Sequence, residues 1–313
     1  MKGKQMPDLI LPTFLDSTML NCFRTCNQRF FNEFILGLRP AEISIHLHAG
    51  GAFSGALERF YHYYWSEGLT EQRMALNKTL PHFLTLWGDF SPSKPTPKTR
   101  ENMWNAIEAY LEKWPAGTDH VQPLEFNKRK TVEFSASVPL DFPGFPRHPV
   151  SGDPFIYCGR IDMLGVYNGR TCIRDEKTTG RLDANWAQQW DLRSQFLGYC
   201  WLCSISGIPC DTAVVRGIVI HKHDINCVEA IKIYGKWELD RWFEQLRRDL
   251  HSIVRCWNEK WWNYNLGEAC TMWGGCSYAD LCKSNRPEQW YDSFKTKRWN
   301  PLDRNPINPE QGV

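Results

Sequence analysis

The chain has 313 residues, 42% of them hydrophobic, which is enough for one large domain or two with a substantial core. Acidic and basic residues nearly balance at a formal net charge of +2, so any nucleic-acid-binding surface has to be local. The first residues lack the long apolar run of a signal peptide, and no stretch approaches the length of a membrane span. Without a secretion signal, the twelve cysteines indicate a reducing, cytoplasmic compartment and metal or core roles rather than disulfides.

The first part of the chain is predicted to be helical. The pattern of apolar residues predicts helices over residues 17–38, 52–68, 70–90 and 99–114. Asp16 or Ser17 is the candidate cap of the first helix, and Pro81 is expected to interrupt the third. The proline-rich segment SPSKPTPK between the last two helices predicts a loop.

The second part mixes strands and helices. Strands are predicted over residues 131–140, 212–221 and 226–234, and helices over residues 184–206 and from 237 to about 264. In the first of these helices Leu192, Phe196, Tyr199 and Cys203 are expected to form an apolar stripe. This order of elements favours an α/β or α+β core with helices inserted near the front.

Between these parts, the stretch GRIDMLGVYNGRTCIRDEKTTG predicts a tight hairpin. Asn168 and Gly169 lie between runs rich in β-branched and aromatic residues, which is the strongest short-range signal for a two-residue type I′ turn. If Tyr167 faces Arg170, Asp162 lies opposite Asp175 on the same face of the sheet, with Cβ atoms about 4.5–5.5 Å apart.

Two carboxylates placed in this way repel each other unless a cation neutralises them. Because side chains alternate along a strand, Lys177 points to the same face as Asp175, and Glu176 points to the other. A divalent cation between the two acids is one interpretation. A solvated hairpin face on which Lys177 neutralises one acid is the other, and a β-bulge would break the register altogether.

The cysteines near the C-terminus suggest a second site. Cys270, Cys276 and Cys282 are evenly spaced by five residues, a pattern that fits the close pairs of a structural zinc site poorly. Iron–sulfur clusters are commonly held by four thiolates, and the first helix offers Cys22 or Cys26 as the fourth. Such a site would close a very long loop and tie the two ends of the chain together. The other cysteines are expected to be core residues: Cys158, Cys172, Cys200, Cys203, Cys210, Cys227 and Cys256.

Taken together, these motifs resemble a known family. The ordered set of GRID, DEKTT and the Q-x-x-x-Y of QFLGY is similar to the RecB-type branch of the PD-(D/E)xK nucleases. The tail CTMWGGCSYADLC, with Cys26 in STMLNCFRTCNQRFF, resembles the iron–sulfur subgroup of that branch, which includes the AddB nuclease domain, CRISPR-adaptation exonucleases and phage proteins. The resemblance covers residues from about 16 to 284 but leaves residues 70–120 unmatched, which identifies them as a helical insertion.

The resemblance implies a role for each residue of the motifs. Asp162 and Asp175 would bind metal together with the backbone carbonyl of Glu176, and Lys177 would be the catalytic lysine. On the helix that follows, Gln195 and Tyr199 would support the site near the DNA strand.

The resemblance also concerns three further positions. Ser54 stands where the family commonly has a metal-binding histidine, so Glu58, one helical turn on, is a candidate ligand. Glu133 occupies the place of a glutamate often found on the preceding strand, and an outward-facing strand acid is the open alternative.

The resemblance also predicts a fold and cofactors. It implies one nuclease domain over residues 1–313 with a restriction-endonuclease-like core, a mixed central sheet flanked by helices. The cysteine-rich tail, residues 265–285, would pair with the helix over residues 17–38. The implied cofactors are a 4Fe-4S cluster, with ligands Cys26, Cys270, Cys276 and Cys282, and Mg²⁺ or Mn²⁺.

The implied activity is that of an exonuclease on single-stranded DNA or DNA ends in repair, recombination or phage DNA processing. A helicase or recombination partner in a prokaryotic or phage-infected cell is expected, and no membrane. Candidate DNA contacts are Lys128, Arg129 and Lys130, and the segment 294–299. The alternative is a catalytically decayed, cluster-stabilised DNA-binding or scaffold protein, and zinc in place of iron is the alternative for the cysteine site.

Overall fold

The computed structural model describes residues 7–126, 129–271 and 275–302. The α-helices are α1 (Ser17–Thr25), α2 (Asn27–Phe30), α3 (Ile45–Tyr61), α4 (Gln72–Trp87), α5 (Arg100–Lys113), α6 (Ser194–Ile205), α7 (Lys236–Glu259) and α8 (Ala279–Lys283). The strands are β1 (Phe14–Leu15), β2 (Leu38–Pro40), β3 (Val121–Pro123), β4 (Glu125–Phe126), β5 (Arg129–Lys130), β6 (Val132–Pro139), β7 (Ile156–Tyr167), β8 (Arg170–Thr179), β9 (Thr212–Ile220), β10 (Ile225–Ile233) and β11 (Phe294–Thr296).

A mixed central sheet organises the chain. Its strand order is β1-β7-β8-β9-β10, and β3 and β6 also pair with β7. The β7–β8 and β9–β10 pairs are antiparallel, whereas β8 and β9 are parallel and are connected through α6. A parallel connection needs a crossover of this kind, since a tight turn can join only antiparallel neighbours. The mixed α/β class predicted from the sequence is therefore confirmed.

The chain divides into two compact units. One comprises residues 43–136 and 160–239, and the other comprises the segments up to 42, 137–159 and 240–303. The former contains α3 to α6 and the paired part of β7, β8, β9 and β10. We call it the sheet unit, and the other, which holds α1, α2, α8 and most of α7, the terminal unit. The expectation of a single nuclease domain stays a prediction.

Apolar packing joins α3, α4 and α5 to the sheet unit's strands. Phe53 and Phe60 of α3 and Phe83 of α4 are fully buried in one cluster with Met163 of β7 and Ile218 of β9. Each such side chain contributes roughly 1.5–3 kcal/mol when it leaves water. The predicted insertion, residues 70–120, thus supplies part of the core over the sheet rather than a separate body.

The predicted helix over residues 17–38 is broken at Cys26. Helix α1 begins as expected, with Asp16 Oδ1 accepting from Met19 N at 2.8 Å. It ends because Thr25 Oγ1 and Asn27 Nδ2 donate to carbonyls of the last turn at 2.7 and 2.8 Å, which offers the backbone an alternative to further helical bonds. Cys26 is extended, with φ −164° and ψ 118°.

Other helix boundaries also differ from the prediction. Helix α3 begins before the glycine pair, at Ile45, because Ser44 caps it. Helix α4 continues through Pro81, so the predicted interruption is wrong. Helix α6 starts only at Ser194, and Leu192, predicted to lie on an apolar stripe, is 72% exposed. None of the helices in the described parts of the chain is long and apolar enough to cross a membrane.

Candidate active site

The hairpin predicted from Asn168 and Gly169 is present. Both turn residues have positive φ, 47° and 76°, as a type I′ turn requires. Strands β7 and β8 pair from Tyr167↔Arg170 to Met163↔Arg174, which confirms the predicted register. One step beyond the last of these pairs lie Asp162 and Asp175.

Asp162 lies in an unfavourable electrostatic environment. Its Oδ2 accepts a hydrogen bond from the backbone N–H of Glu176 at 3.3 Å, and it forms no ion pair within the residues that the structure describes. Burial, followed by the negative charges of Asp175 and Glu176, raises the pKa of Asp162 to about 8. A carboxyl group with this pKa favours a proton or a cation beside it at neutral pH.

Asp175 and Lys177 form the other half of the site. Asp175 is 3% exposed, and its Oδ2 lies 2.5 Å from Lys177 Nζ. Burial raises the pKa of Asp175 despite the nearby charges of Lys177 and Arg193. For Lys177, burial would lower the pKa, but Asp175 and Asp162 outweigh it, so the pKa is raised and the ammonium stays charged at neutral pH.

Glu176 points to the other face of the sheet, as strand alternation predicts. There its Oε1 accepts from Tyr110 Oη at 2.6 Å and from Arg174 Nε at 2.8 Å. The side chain of this central residue is therefore anchored, while its backbone stays beside Asp162.

A small cavity adjoins Asp162. Its walls include Ser54 and Glu58 of α3, Glu133 of β6 and Arg174 of β8. Glu58, the candidate ligand one helical turn after Ser54, is 6% exposed and lines the same cavity as Asp162.

Glu133 faces inward, so the alternative of an outward-facing strand acid is wrong. Its carboxylate forms an ion pair with Arg160, and its side chain is 9% exposed. Burial and the charge of Asp162 raise the pKa of Glu133 well above its usual range. Its φ of 52° lies in the left-handed region, which is uncommon for a residue other than glycine and typical of functional sites.

Helix α6 brings the Q-x-x-x-Y residues to the lysine side of the sheet. Gln195 Nε2 donates to Tyr199 Oη at 3.2 Å, so the two side chains share one face of the helix as predicted. Between them in sequence, the Phe196 ring centroid lies 5.9 Å from Lys177 Nζ. The start of α6 therefore packs beside the lysine of the site.

Sequence reasoning missed four residues around these acids: Tyr110, Arg160, Arg174 and Arg193. Arg193 is exposed at the start of α6, over the ring of Trp190, and its charge acts on both Asp175 and Lys177. The arginines stand within two residues of a predicted site residue, which is the only signal that the sequence offers for them. Tyr110 carries no such signal, since it lies in the unmatched segment.

The predicted cysteine site lies in the terminal unit, where the tail approaches Cys26. The backbone N–H of Gln28 donates to Asn263 O at 3.0 Å, and Asn265 Nδ2 donates to Thr25 O at 2.7 Å, so bonds on both sides of Cys26 hold the tail. Cys276 N donates to Cys270 O at 2.9 Å, which turns the tail back on itself.

The thiols of this site influence one another. Burial, followed by the charges of Cys276, Cys26 and Cys270, raises the pKa of Cys282 to about 11. Cys22 is more deeply buried, and its thiol contacts Glu33 Oε2 at 3.9 Å, so Cys26 is the better placed of the two candidates. Four thiols from two segments are suitable donors for an iron–sulfur cluster. Across residues 7–126, 129–271 and 275–302, however, no group of three or more His, Cys, Asp or Glu side chains is arranged to hold a metal ion.

The acids of the sheet unit suit a different cation. Mg²⁺ commonly uses only one or two carboxylates and keeps several waters, so it does not need three protein side chains. Asp162 and Asp175 are hard oxygen donors whose pKa values are raised chiefly by burial, so a cation beside them would favour their ionised forms. The residues present therefore fit Mg²⁺ or Mn²⁺.

The predicted DNA-contact segments are only partly described. Lys128 and the side chain of Arg129 lie outside the described residues, and Lys130 forms an ion pair with Glu125 at 3.4 Å. In the segment 294–299, Phe294 is buried and Arg298 donates to backbone carbonyls, which leaves Lys295 and Lys297 as exposed cations.

A mixed sheet with helices on both faces, and two acids and a lysine at adjacent strands, defines the class of nucleases with a restriction-endonuclease-like core. The family model of the PD-(D/E)XK nuclease superfamily matches residues 17–283. The chain belongs to this superfamily. The RecB-type, iron–sulfur branch within it stays a proposal.

Several solved structures match the chain, and two of them illustrate the range of similarity. One is the crystal structure of a protein from Eubacterium rectale named "putative exonuclease", with a TM-score of 0.50, 12% identity, and coverage of 86% of this chain and 92% of that one. At this identity the likeness supports the fold alone. The structure of SSO0001 matches with a TM-score of 0.30 and 10% identity, and the match covers 75% of this chain and 76% of that one. This similarity is too low to support an inference. Among curated proteins there is no match.

Proposed function

We propose that the protein is a metal-dependent DNA nuclease of the RecB type that hydrolyses phosphodiester bonds, acting as an exonuclease on single-stranded DNA or DNA ends. The observation that carries the proposal is the buried Asp162, which has no ion pair among the described residues, next to the Asp175–Lys177 ion pair. A fold does not need such an arrangement, because like charges without a counter-ion cost free energy.

In this proposal Asp162, Asp175 and the backbone carbonyl of Glu176 hold Mg²⁺ or Mn²⁺. When bound, the cation supplies Lewis-acid charge that offsets the negative charge of the scissile phosphate. Lys177 orients the attacking water and stabilises charge on the phosphate oxygens. It does not act as the base, because its raised pKa keeps it protonated.

The reaction itself requires one bond to form and one to break. The water oxygen bonds to phosphorus, the bridging P–O bond breaks, and the proton lost by the water passes to the leaving oxygen or to solvent. Gln195 and Tyr199, joined by their hydrogen bond beside Lys177, would support the DNA strand at this point.

Two residues on α3 separate the proposal from its main alternative. Ser54 stands where the family commonly has a metal-binding histidine, and the lack of this ligand favours a catalytically decayed DNA-binding or scaffold protein. Glu58 lies in the same cavity wall as Asp162, and we propose that it supplies a ligand directly or through water. The intact Asp162, Asp175 and Lys177 favour the enzyme.

For the terminal unit we propose a 4Fe-4S cluster held by Cys26, Cys270, Cys276 and Cys282. The bonds of Asn263 and Asn265 to the residues flanking Cys26 support this, because they hold two segments together that are more than 200 residues apart. The cluster would be structural, since constraints on long loops restrict the unfolded chain most in theory. Brown protein with roughly four iron atoms per chain would support it, and colourless protein containing zinc would refute it.

DNA is the proposed partner, together with a helicase or recombination protein in the cytoplasm of a prokaryotic or phage-infected cell. Lys128, Arg129 and Lys130, and the exposed lysines of segment 294–299, are proposed to contact the phosphate backbone. Their joint replacement by glutamine would weaken binding without changing the rate at saturating DNA.

The deciding experiment incubates end-labelled single-stranded and duplex DNA, and a circular single strand, with the protein and Mn²⁺. Asp162→Ala is the control, because it removes the acid without touching the apolar core. Degradation of linear DNA by the wild type alone supports a nuclease, and resistance of the circle supports an exonuclease.

The same degradation by both proteins would point to a contaminant and overturn the proposal. Specific DNA binding without Asp162-dependent cleavage would support the scaffold alternative. Cleavage of the circle would keep the nuclease and refute the exonuclease.

A further inference from the structure

A buried polar network lies under β8, on the face opposite Asp175 and Lys177. It includes two almost completely buried arginines, Arg174 (1% exposed) and Arg216 (0% exposed). Tyr110 of α5 and Asp119, which follows that helix, complete it. Both lie in the segment 70–120, in which the motifs that carry the family resemblance have no counterpart, although the family model extends across it.

The network is held by short hydrogen bonds. Arg216 Nη1 and Nη2 donate to Asp119 at 2.6 Å each, and Arg216 Nη1 also donates to Tyr110 Oη at 3.1 Å. Arg174 Nη1 donates to the same Asp119 at 3.2 Å. The Tyr110 hydroxyl thus accepts a hydrogen bond from Arg216 and donates one to Glu176. Hydrogen bonds are stronger in a buried, low-dielectric environment than in water, so these contacts fix the positions of Tyr110 and Asp119.

Glu176 connects the network to the proposed metal site through its backbone. Its side chain accepts from Tyr110 and Arg174 at 2.6 and 2.8 Å, and its strand pairs with β9 at Arg216. Its backbone N–H donates to Asp162, and its carbonyl is the proposed metal ligand. A side chain anchored at two points restricts rotation of that peptide.

Arg174 also faces the acids of the cavity. It lines the cavity with Glu58, Glu133 and Asp162, and its Nη2 is buried without a hydrogen-bond acceptor among the described residues. An arginine with a purely structural role would be expected to use all its donors, because a buried donor without an acceptor costs free energy.

We propose that Tyr110 and Arg174 are positioning residues of the metal site: they fix the Glu176 peptide so that its N–H holds Asp162 and its carbonyl faces the cation. The inference rests on the proposed function. It assigns a role in the site to the segment 70–120, although no residue of that segment contacts Asp162, Asp175 or Lys177 in the interactions that the structure describes.

Tyr110→Phe is the test, because it removes one hydroxyl and leaves the ring in the core. Tyr234→Phe is the matched control: Tyr234 is also buried, and its hydroxyl donates to a single carbonyl, that of Trp190, at 2.8 Å. Mn²⁺ affinity of the metal-free protein is measured from the EPR signal of free Mn²⁺, thermal stability by circular dichroism, and kcat and KM on linear DNA.

Loss of an outer hydrogen-bond partner typically weakens metal binding 10–100-fold, so the Kd of Tyr110→Phe for Mn²⁺ is expected to rise about tenfold. The value of kcat should fall with it, KM for DNA should change less than about twofold, and Tyr234→Phe should match the wild type in Mn²⁺ affinity. A purely structural role predicts the opposite: both variants lose thermal stability equally, and neither changes the Kd for Mn²⁺.

Glu176→Gln provides the second variant if Tyr110→Phe does not fold. It keeps an oxygen acceptor for Tyr110 but loses the charge that Arg174 pairs with, so a several-fold weaker Mn²⁺ affinity is expected, and an unchanged Kd would refute the inference. Asp162→Ala separates the two proposals. If wild-type Mn²⁺ binding does not depend on Asp162, the proposed metal site and this inference both fail. If it does depend on Asp162 but not on Tyr110 or Glu176, only this inference fails.

Discussion

Replacing Asp162 by asparagine should abolish nuclease activity and stabilise the metal-free protein. The pKa of Asp162 is raised from an ordinary 3.8 to about 8 by burial and by neighbouring acids. In the folded state the group therefore keeps its proton at pH 7, whereas in the unfolded chain it ionises. An acid whose pKa is raised on folding makes the folded state bind protons more tightly, so stability falls as pH rises from about 4 to about 8.

The size of the effect follows from the two pKa values. Each pKa unit corresponds to about 1.4 kcal/mol, so keeping Asp162 neutral at pH 7, about three units above its ordinary pKa, costs up to about 4 kcal/mol. At pH 5 only about one unit separates them, and the cost falls to about 1.5 kcal/mol. Asparagine has a similar shape and no proton to lose, so it should recover these amounts.

The assay is urea unfolding in EDTA at pH 5 and pH 7, with Asp224→Asn as the control. Asp224 is exposed in the turn between β9 and β10, and its replacement should change stability by less than about 0.5 kcal/mol. A gain for Asp162→Asn that is the same at both pH values, or a loss at pH 7, would contradict the reasoning, because either would mean that Asp162 is solvated or already neutralised.

Four other outcomes are expected. Lys177→Gln should lower the single-turnover rate at least about 100-fold while Mn²⁺ affinity rises, since the ammonium no longer competes for Asp175; weaker Mn²⁺ binding would count against this pairing. Arg193→Gln should raise KM for DNA and lower the salt slope of binding by about one, because the exposed Arg193, whose charge acts on Asp175 and Lys177, is expected to contact a DNA phosphate. An unchanged slope would contradict this expectation. Mn²⁺ affinity should fall about tenfold per pH unit below the pKa of Asp162, as calorimetric titrations from pH 6 to pH 8 can check, because the cation displaces one proton. Cys26→Ser should lower bound iron and thermal stability, whereas Cys256→Ser, a buried cysteine of α7, should keep its iron; equal iron in both would remove Cys26 from the proposed ligands.

The hairpin is the part of the site that local sequence could specify. The turn residues Asn168 and Gly169 adopt the positive φ values that few other residues tolerate, and strand alternation then fixes which side chains share a face. The register and the opposite orientation of Glu176 both followed from these two rules. Contacts within a few residues of a turn are decided by local chemistry, which is why the sequence could predict them.

Contacts across long stretches of sequence could not be predicted in the same way. Tyr110 lies 66 residues before Glu176, and nothing in the pattern of α5 distinguishes its hydroxyl from that of any other core tyrosine. Glu133 could be placed on a strand, but its inward direction depends on a positive φ that no sequence rule suggests for glutamate. The break at Cys26 came from side-chain hydrogen bonds of Thr25 and Asn27 that compete with the helix.

The buried acids of the sheet unit lower the stability of the fold, and their presence is better explained by function. Glu133 adds backbone strain of about 1–3 kcal/mol to the cost of burying its charge. Arg160 and Lys177 each neutralise one acid, and Arg174 brings a third positive charge to the cavity wall, yet Asp162 is left without an ion pair in the described residues. A protein selected only for stability would lose this acid, since an apolar residue or an amide there would cost less. The network under β8 holds Glu176, whose backbone N–H donates to Asp162, and a bound dication would offset the cost of ionising this acid.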